Sequence, residues 1–399
     1  MLHFRSCCVF FCLASLASSA EVTDVKPGEC VWKFVAPEGR NHNIVFPLIG
    51  NGRAFVVSHG PTRALQNWVY ALDVKTGAVL WETDLGDVCA AEPALASDRM
   101  IVTATDRNLR FAKTFCLDIK DGKILWERHH GEWLTTPNLP CYRPVICGDQ
   151  VMIVGWRSSA GIILPDTSRL ICLELHDGYP VWSANDKNTG WFSRLSNSSG
   201  GRVYFGMTKV DANGHNASER IYSFAPKTGK LEEEEGTELG YKHYANYEPV
   251  VADGKLYVGD KDNRLSCFQL GGKADAIWTR SNADCVRAPA VQGGYVVATL
   301  ASGDVACYRS SDGKELWKRY VGNFIETPVI QNNQVIVSSR QSVTALRLDT
   351  GLMLWEYYTP KAALDGRPCA DAGIVLVPAA YTRENISLYA LKIAATLPP

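Results

Sequence analysis

The chain has 399 residues, and its 41 basic and 42 acidic side chains leave a formal net charge of −1. This balance excludes charge as a reason to expect nucleic acid or an anionic membrane as a partner. Hydrophobic residues make up 46% and charged residues 21%, a composition typical of a soluble globular protein. No stretch beyond the N-terminus approaches the about 18 uncharged apolar residues of a membrane-spanning helix.

The first 20 residues are typical of a secretory signal peptide. Arg5 precedes an apolar run over residues 9–16, and small residues stand at Ser18 and Ala20. We expect cleavage after Ala20 and an exported protein, periplasmic or extracellular, whose residues 21–399 form a single domain. The cysteines of this segment lack the spacing of a lipoprotein signal, which favours a soluble protein. A buried N-terminal strand or helix is the alternative interpretation.

One phrase recurs along the chain. It is YALDVKTGAVLW at 70–81, a strand, a Thr-Gly turn and a strand that reaches Trp. Related phrases stand at 115–126, 171–182, 222–233, 266–278, 306–317, 344–355 and 388–393. A second phrase, such as PVVADGKLYVG at 249–259, precedes most copies and adds two strands. The unit is therefore four antiparallel strands in about 38–56 residues, the period of a propeller blade.

Eight such units predict an all-β protein, an eight-bladed β-propeller of four-stranded antiparallel blades. Seven blades is the alternative if the fourth unit is irregular, because it has Glu233, within an acidic run, where other units have Trp. The last unit ends without a Trp, so we expect the N-terminal strand around Trp32 to complete it and close the ring.

A large flat apolar ring at the end of each unit is well placed to cover the gap between neighbouring blades. The residues with this expected structural role are Trp32, Trp81, Trp126, Trp182, Trp278, Trp317 and Trp355.

The third strand of each unit carries one small residue, which is Cys in four units and Ala or Ser in the others. This alternation indicates a small buried apolar site, so Cys116, Cys172, Cys267 and Cys307 are expected to be free buried thiols. The pairing of the six other cysteines that follow the signal peptide stays open. They are Cys30, Cys89, Cys141, Cys147, Cys285 and Cys369.

A charged residue stands at or just before the start of the innermost strand in seven units, where the chain approaches one mouth of the central channel. These residues are Glu92, Arg143, Arg194, Glu248, Arg287, Glu326 and Arg367. One interpretation is that the acids and bases pair and plug the mouth. The other is a polar binding site for a small anion or zwitterion, in which Arg143, Arg287 and Arg367 hold a carboxylate or phosphate.

The loops between second and third strands should open on the same face, and they are longer in the first four units than in units five to seven. The segments 157–168 and 209–218 are examples, and the eighth unit adds 379–387. Long loops on one side of a face suggest a surface for a protein partner, with the apolar residues Ile162, Ile163 and Leu164 as its anchor. Unconstrained drift in loop length explains the pattern equally well.

The repeat, A-L-D-x-x-T-G-x-x-x-W preceded by P-V-V-x-x-G-x-x-Y-V-G, resembles that of pyrroloquinoline quinone (PQQ)-type propellers over about residues 30–395. That family includes the quinoprotein alcohol dehydrogenases and the outer-membrane assembly factor BamB. The resemblance implies the propeller fold, and it leaves two functions open, because fold does not determine function.

The first function is a non-catalytic exported scaffold that binds a protein partner or peptide, in the manner of an envelope assembly factor. Such a protein needs no cofactor, and we expect a monomer with neither a membrane span nor nucleic acid. The second is a PQQ-dependent dehydrogenase or PQQ sensor that uses Ca²⁺ and the charged mouth. The adjacent cysteines of those dehydrogenases have a counterpart only at Cys7 and Cys8, inside the predicted signal peptide. No zinc-site spacing, nucleophile elbow or phosphate loop is present, so no other metal or catalytic site is expected.

Overall fold

The computed structural model describes residues 25–37, 43–59, 67–106, 112–130, 143–159, 162–185, 191–210, 216–238, 248–259, 264–270, 276–281, 287–323, 325–359, 364, 366–379 and 387–394. These residues form 33 strands, and none of them lies in a helix. Within the same ranges there is consequently no helix with the length and apolar character to cross a membrane.

The first half of the chain supplies the following strands, given for each blade from the channel outwards. Blade 1 contains β2 (Asn43–Gly50), β3 (Arg53–His59), β4 (Trp68–Asp73) and β5 (Val79–Asp84). Blade 2 contains β6 (Val88–Ala90), β7 (Ala94–Leu95), β8 (Arg99–Asp106), β9 (Ala112–Asp118) and β10 (Ile124–His129). Blade 3 contains β11 (Val145–Cys147), β12 (Gln150–Ser159), β13 (Ile162–Glu174) and β14 (Pro180–Asn185). Blade 4 contains β15 (Trp191–Ser199), β16 (Arg202–Val210), β17 (Asn216–Ala225) and β18 (Lys230–Glu238).

The second half forms the other four blades. Blade 5 contains β19 (Val250–Ala252), β20 (Lys255–Gly259), β21 (Leu265–Gln269) and β22 (Trp278–Arg280). Blade 6 contains β23 (Ala290–Gln292), β24 (Tyr295–Thr299), β25 (Asp304–Arg309) and β26 (Glu315–Tyr320). Blade 7 contains β27 (Val329–Gln331), β28 (Gln334–Ser338), β29 (Ser342–Arg347) and β30 (Met353–Tyr358). Blade 8 contains β31 (Cys369–Asp371), β32 (Ile374–Ala379), β33 (Ser387–Lys392) and β1 (Cys30–Val35).

The eight-bladed all-β propeller predicted from the repeats is confirmed. Each blade is an antiparallel sheet with its strands in chain order, except that β1 pairs with β33 and completes the last blade. The innermost strands contact their neighbours in sequence around the channel, including β31 with β2 across the junction between the last blade and the first. The predicted closure by the N-terminal strand is therefore how the ring closes.

Seven tryptophan side chains hold neighbouring blades together by the same contact. Each ring lies against a turn glycine of the following blade, as Trp81 lies against Gly122. In six of the seven, the indole Nε1–H donates to a backbone carbonyl of that blade, for Trp81 the oxygen of Ile119 at 3.0 Å. Nε1–H of Trp355 donates instead to the side-chain oxygen of Gln334 in its own blade, at 3.3 Å. A Cβ on Gly122 would lie 2.5 Å from Cε3 of Trp81, so only glycine admits the ring this close. The seven pairs of ring and glycine are Trp32–Gly77, Trp81–Gly122, Trp126–Gly178, Trp182–Gly229, Trp278–Gly313, Trp317–Gly351 and Trp355–Gly28.

A second side chain, two residues beyond the Trp, reinforces four of these junctions. In three blades it is an arginine that donates to the carbonyl of the same turn glycine, for example Arg128 to Gly178 at 2.9 Å and Arg319 to Gly351 at 3.1 Å. Thr83 does so in blade 1, at 2.6 Å from the oxygen of Gly122. The phrase Trp-x-Arg at 126–128, 278–280 and 317–319 is a sequence signal for this contact that the repeat analysis missed.

In the other blades one continuous segment forms the turn before the outer strand. In blade 8 the two ends of the chain form the equivalent turn together. Gly28 N–H donates to the oxygen of Lys392 at 2.8 Å, as Gly77 N–H donates to the oxygen of Asp73 at 2.8 Å in blade 1. Gly28 has a φ of 86°, a left-handed conformation like that of the other turn glycines. The residues 26-KPGECVW-32 align with 75-KTGAVLW-81, so the phrase of a turn followed by an outer strand recurs near the N-terminus. The repeat analysis identified only Trp32 and missed this turn.

The fourth blade is the exception, and one assignment made from the sequence was wrong. The small third-strand residue faces a Trp in seven blades, whereas in blade 4 Ser223 faces Glu232, and Glu233 faces Tyr222. Six other blades place an extra residue before the Trp, such as Leu80 between the paired residues Val79 and Trp81, and the outer strand of blade 4 has none there. Glu232, and not Glu233, therefore occupies the Trp position.

The junction from blade 4 to blade 5 consequently uses other groups. The side-chain amide of Asn197 exchanges two hydrogen bonds with the backbone of Val251, at 2.9 and 3.0 Å. Tyr204 packs in a cluster with Leu256 and Phe268 of blade 5. This junction is therefore held by a polar bridge and a small apolar cluster instead of a Trp.

The expectation of free buried thiols on the third strands is confirmed. Cys116, Cys172, Cys267 and Cys307 are free and inaccessible to solvent. Burial raises the pKa of the Cys307 thiol to about 12, so this thiol stays protonated at neutral pH. Among the remaining cysteines that the structure describes, Cys30, Cys147 and Cys369 are also free.

Replacement of a Trp at a junction should destabilise the ring strongly. For Trp81→Ala we expect a loss of about 3–5 kcal/mol in the free energy of unfolding, because a nearly buried indole and its hydrogen bond are removed together. Leu80→Ala is the matched control, since Leu80 is 46% exposed and should cost less than about 0.5 kcal/mol. Urea unfolding followed by circular dichroism measures both. Equal losses would show that the Trp contacts do not hold the blades.

Removal of the N-terminal strand should leave blade 8 open but able to be completed in trans. We expect a chain that begins at Ala36 to bind a synthetic peptide of residues 25–36, because the edge of β33 and the glycine pocket beside Trp355 stay in place. The same peptide with Trp32→Ala should bind at least about tenfold more weakly, while Val35→Ala, at an exposed position, should bind normally. Fluorescence anisotropy of the labelled peptides gives the affinities, and equal binding of all three would refute this mode of closure.

Candidate functional site

One face of the ring is here called the upper face. On this face the innermost strands begin, and the chain passes from each outer strand to the next blade. Three of the predicted mouth residues directly precede a proline and an innermost strand: Arg143 before β11, Glu248 before β19 and Arg367 before β31. Glu92 lies in the break between β6 and β7, where the inner strand of blade 2 is interrupted. The proline at each site, which has no backbone N–H, accounts for the late start of regular pairing.

Four of the predicted residues meet in one ionic network, called the mouth cluster: Glu92, Arg143, Glu248 and Arg367. Nη1 of Arg143 lies 3.7 Å and Nη1 of Arg367 lies 3.6 Å from the same Oε1 of Glu92. Arg367 also lies 3.5 Å from Oε2 of Glu248. Because these residues belong to blades 2, 3, 5 and 8, the cluster joins blades that are not neighbours. Arg367 thus connects opposite parts of the channel mouth.

Arg287 and Glu326 form a separate pair between the adjacent blades 6 and 7. The guanidinium donates from Nε at 3.1 Å and from Nη2 at 3.0 Å to the two carboxylate oxygens. This bidentate geometry is the strongest that an arginine and a carboxylate adopt. The backbone N–H of Glu326 donates to the oxygen of Ser338 at 3.0 Å, which fixes the carboxylate at the start of blade 7.

In both groups the acids are buried more deeply than the bases. The side chains of Glu92, Glu248 and Glu326 are 19%, 16% and 15% exposed. The arginines in contact with them, Arg143, Arg367 and Arg287, are 32%, 37% and 42% exposed. The upper mouth therefore presents guanidinium groups to solvent above a layer of carboxylates. Three positive charges and three negative charges balance.

Cys369, the first residue of β31, lies beneath this cluster. Burial raises the pKa of its thiol to about 11, although the positive charges of Arg367 and Arg143 act in the opposite direction. The thiol is therefore neutral and fills space behind Arg367 as a small apolar group.

The seventh predicted mouth residue, Arg194, lies inside strand β15. It falls in the register shift between Phe192 and Leu195, the two residues of β15 that pair with Met207 and Phe205. Its side chain is outside the described part of the structure, so its proposed role at the mouth stays a prediction.

The residues of blade 3 that were expected in a partner-binding loop lie in a strand instead. Ile162, Ile163 and Leu164 belong to strand β13, and the register pairs Ile163 with Ser158 and Ile162 with Ser159. The segment predicted as a long loop at 157–168 is thus largely formed by the paired strands β12 and β13, and the role of Ile162, Ile163 and Leu164 as a partner anchor stays a prediction. β-Branched residues favour strand over loop, and that preference outweighed the Pro-Asp turn signal at 165–166. The strands β16 and β17 likewise take up five of the ten residues of 209–218.

Blade 2 ends in a histidine pair that is built into the fold. Nε2 of His130 shares a 2.8 Å hydrogen bond with Oγ1 of Thr114, and the exposed His129 pairs with Glu127 at 3.0 Å. Burial, with a smaller contribution from the charge of His129, lowers the pKa of His130 to about 4. His130 is therefore neutral at physiological pH and serves as a hydrogen-bonding core residue.

The resemblance to quinoprotein dehydrogenases implies PQQ held by calcium, and the residues of this chain can be tested for that group. Across the described ranges, no three or more His, Cys, Asp or Glu side chains are grouped so that they could hold a metal ion. The calcium-like segment 260–263 lies outside the described residues. Calcium-bound PQQ therefore stays the alternative that the sequence resemblance implies.

The depressed pKa of His130 predicts a loss of stability in mild acid. The unfolded state takes up a proton near pH 6.5 and the folded state only near pH 4, so stability falls as the pH drops between these values. One proton gives a slope of at most about 1.4 kcal/mol per pH unit. His130→Gln should flatten the urea-unfolding midpoint over this window, and His176→Gln, at an exposed turn, should not. An unchanged slope in the His130 variant would contradict the assignment.

The sequence and the fold of this chain are both similar to those of outer-membrane assembly factors. The family described as outer membrane protein assembly factor BamB matches residues 18–114, 65–319 and 286–394. BamB of Yersinia pestis is 21% identical over 329 residues, which cover 79% of this chain and 76% of that protein. The crystal structure of BamB from Moraxella catarrhalis superposes with a TM-score of 0.59 at 16% identity, covering 90% of this chain and 97% of that one.

A quinoprotein enzyme is similar in fold to the same degree. The quinohemoprotein alcohol dehydrogenase of Comamonas testosteroni superposes with a TM-score of 0.64 at 13% identity, covering 93% of this chain and 77% of that one. At such identities the superpositions establish the fold alone. The sequence match extends over nearly all of the chain, and the chain therefore belongs to the PQQ-repeat propeller family described as outer membrane protein assembly factor BamB.

Proposed function

We propose that this chain is an exported, non-catalytic propeller that binds a protein partner through its upper face, in outer-membrane protein assembly or a related step at the cell envelope. The observation that carries the proposal is the family match over residues 18–394, which includes every blade. Export rests on the signal pattern of residues 1–20, which lies outside the described structure.

The construction of the ring supports a scaffold. Seven Trp contacts and the Asn197 bridge connect all eight blades, so the upper face is a rigid platform. Rigid surfaces bind protein partners with little loss of conformational entropy. The upper face also receives every connection from an outer strand to the next blade, and such loops are where binding residues usually stand.

The state of the channel mouth supports the same proposal. The arginines that would hold an anionic cofactor contact Glu92, Glu248 and Glu326 instead. An anionic quinone would have to displace these contacts while the carboxylates repelled it. The PQQ-dependent dehydrogenase or sensor is the alternative, and saturable quenching of tryptophan fluorescence by PQQ with Ca²⁺ would favour it.

Site-specific photocrosslinking in the native host tests the scaffold proposal. A photoreactive phenylalanine derivative at Tyr358 or Tyr320, at the upper ends of outer strands in blades 7 and 6, should form an adduct with one discrete protein. The same replacement at Tyr179, at the lower end of blade 3, is the matched control, because the three side chains are 60%, 61% and 65% exposed. Depletion of the protein should also lower the amount of folded outer-membrane protein.

Adducts from Tyr358 or Tyr320 without one from Tyr179 would support binding to the upper face. Equal labelling from all three positions, or no discrete adduct from any of them, would contradict the proposal. A normal level of folded outer-membrane protein after depletion would exclude the assembly role and leave partner binding to the crosslinks.

A further inference from the structure

We propose that Arg143 and Arg367 together receive a carboxylate side chain of the protein partner, so that an acidic loop of that partner docks over the channel mouth. The inference rests on the proposed function, because it specifies the chemistry of the partner at the same face. The mouth cluster is then a receptor for an acid, and Glu92 and Glu248 are the residues that position its two arginines.

The first support is convergence. Two guanidinium groups from blades 3 and 8 point at one oxygen, since both Nη1 atoms lie within 3.7 Å of Oε1 of Glu92. Groups held that close to a common point can both reach a single additional carboxylate placed above it. The blades that carry them are fixed by the Trp contacts, so the spacing is set before any ligand arrives.

The second support is that these contacts are long. Charge-assisted hydrogen bonds between nitrogen and carboxylate oxygen are about 2.7–2.9 Å, whereas the cluster distances run from 3.5 to 3.7 Å. Arg287 provides the comparison within the same mouth, because its two bonds to Glu326 measure 3.1 and 3.0 Å. Toward the residues that the structure describes, Arg143 and Arg367 therefore make longer ionic contacts than the forked pair of Arg287 and Glu326.

The third support is the layering of charge. Arg143 and Arg367 are about twice as exposed as the Glu92 and Glu248 carboxylates in contact with them. The guanidinium groups therefore keep more of their surface accessible to solvent than the carboxylates do, and a ligand can reach that surface. A carboxylate from above can add forked hydrogen bonds without first displacing Glu92.

The balance of charge determines the class of ligand. Two acids accompany the two bases, so a dense polyanion such as a nucleic acid would meet repulsion from Glu92 and Glu248 as soon as it spread beyond the arginines. One or two carboxylates on an otherwise neutral loop fit this local charge. A protein loop also gains contacts from the surrounding upper face that a free small acid lacks.

The test measures binding of a fluorescein-labelled diglutamate peptide to the purified protein by anisotropy at low salt, with a diglutamine peptide and acetate as comparison probes. Arg143→Ala and Arg367→Ala should each weaken binding of the diglutamate peptide by about fivefold or more. Arg309→Ala is the matched control, because it removes the same charge from an arginine at the lower end of β25 and should leave binding unchanged. Glu92→Gln should strengthen binding by about twofold, since glutamine keeps the Oε1 acceptor that positions the two arginines but removes the negative charge that repels the ligand.

The sign of the Glu92→Gln effect separates a receptor from an internal brace. If Glu92→Gln weakens binding as much as Arg367→Ala does, the cluster only holds blades together and the proposal is overturned. Equal weakening by Arg309→Ala, or tight binding of the diglutamine peptide, overturns it as well, because either indicates non-specific attraction. Should Arg367→Ala fail to fold by circular dichroism, Arg367→Lys keeps the charge but loses the fork and should weaken binding by an intermediate factor.

The peptide-binding and photocrosslinking results together distinguish a failure of the acid receptor from a failure of the proposed function. A photocrosslinked partner together with no binding of the diglutamate peptide refutes the acid receptor alone. Peptide binding without a crosslinked partner contradicts the scaffold proposal while leaving an acid-binding mouth. Inhibition by acetate at concentrations similar to those of the peptide would assign the site to free carboxylates and overturn docking of a partner loop.

Discussion

The structure depends on one contact, a tryptophan ring laid on a turn glycine of the next blade. A four-stranded blade has two apolar faces and is not stable alone, so each blade must bury both faces against neighbours. The indole ring closes the outer end of seven of these junctions, and in six of them its Nε1–H bond to a backbone carbonyl of the next blade sets the relative height of the two blades. Repeated seven times, this contact turns a row of marginal sheets into a ring with defined geometry.

That geometry is what allows residues far apart in the sequence to form a site. Arg367 contacts Glu92 and Glu248, which belong to blades 2 and 5, and it can do so only if the blades keep their places around the channel. The closing seam matters for the same reason. The bond from Gly28 to Lys392 and the ring of Trp355 on Gly28 hold blade 8, and blade 8 carries Arg367. The N-terminal strand therefore supports the mouth although it lies at the outer rim.

Local sequence predicted the fold well because each blade repeats its own turn glycine, small third-strand residue and Trp. It predicted the positions of the mouth charges for a similar reason, since a residue before each inner strand must reach the channel. It did not predict the pairing, because which acid meets which base depends on distances across the ring. The errors have local causes: an absent extra residue moved Glu232 into the Trp position, and the β-branched Ile162 and Ile163 extended a strand where the Pro-Asp signal predicted a loop. The turn at Gly28 was missed because only half of its phrase is present at each end of the chain.

Assembly factors and quinone-dependent dehydrogenases share this ring, and superposition alone scarcely separates them. What separates the possible functions is whether the charged residues before the inner strands pair with each other or remain available to a ligand. A mouth that binds a charged cofactor must keep charge uncompensated or supply a metal. In this chain each of the three described arginines contacts a more deeply buried glutamate, so these six side chains together have no net charge to offer a cofactor. It does offer oriented guanidinium groups at its rim, and such groups recognise the acidic side chains of proteins without attracting every anion in solution. The same pairing therefore disfavours a charged cofactor, and the proposed docking of an acidic partner loop depends on it.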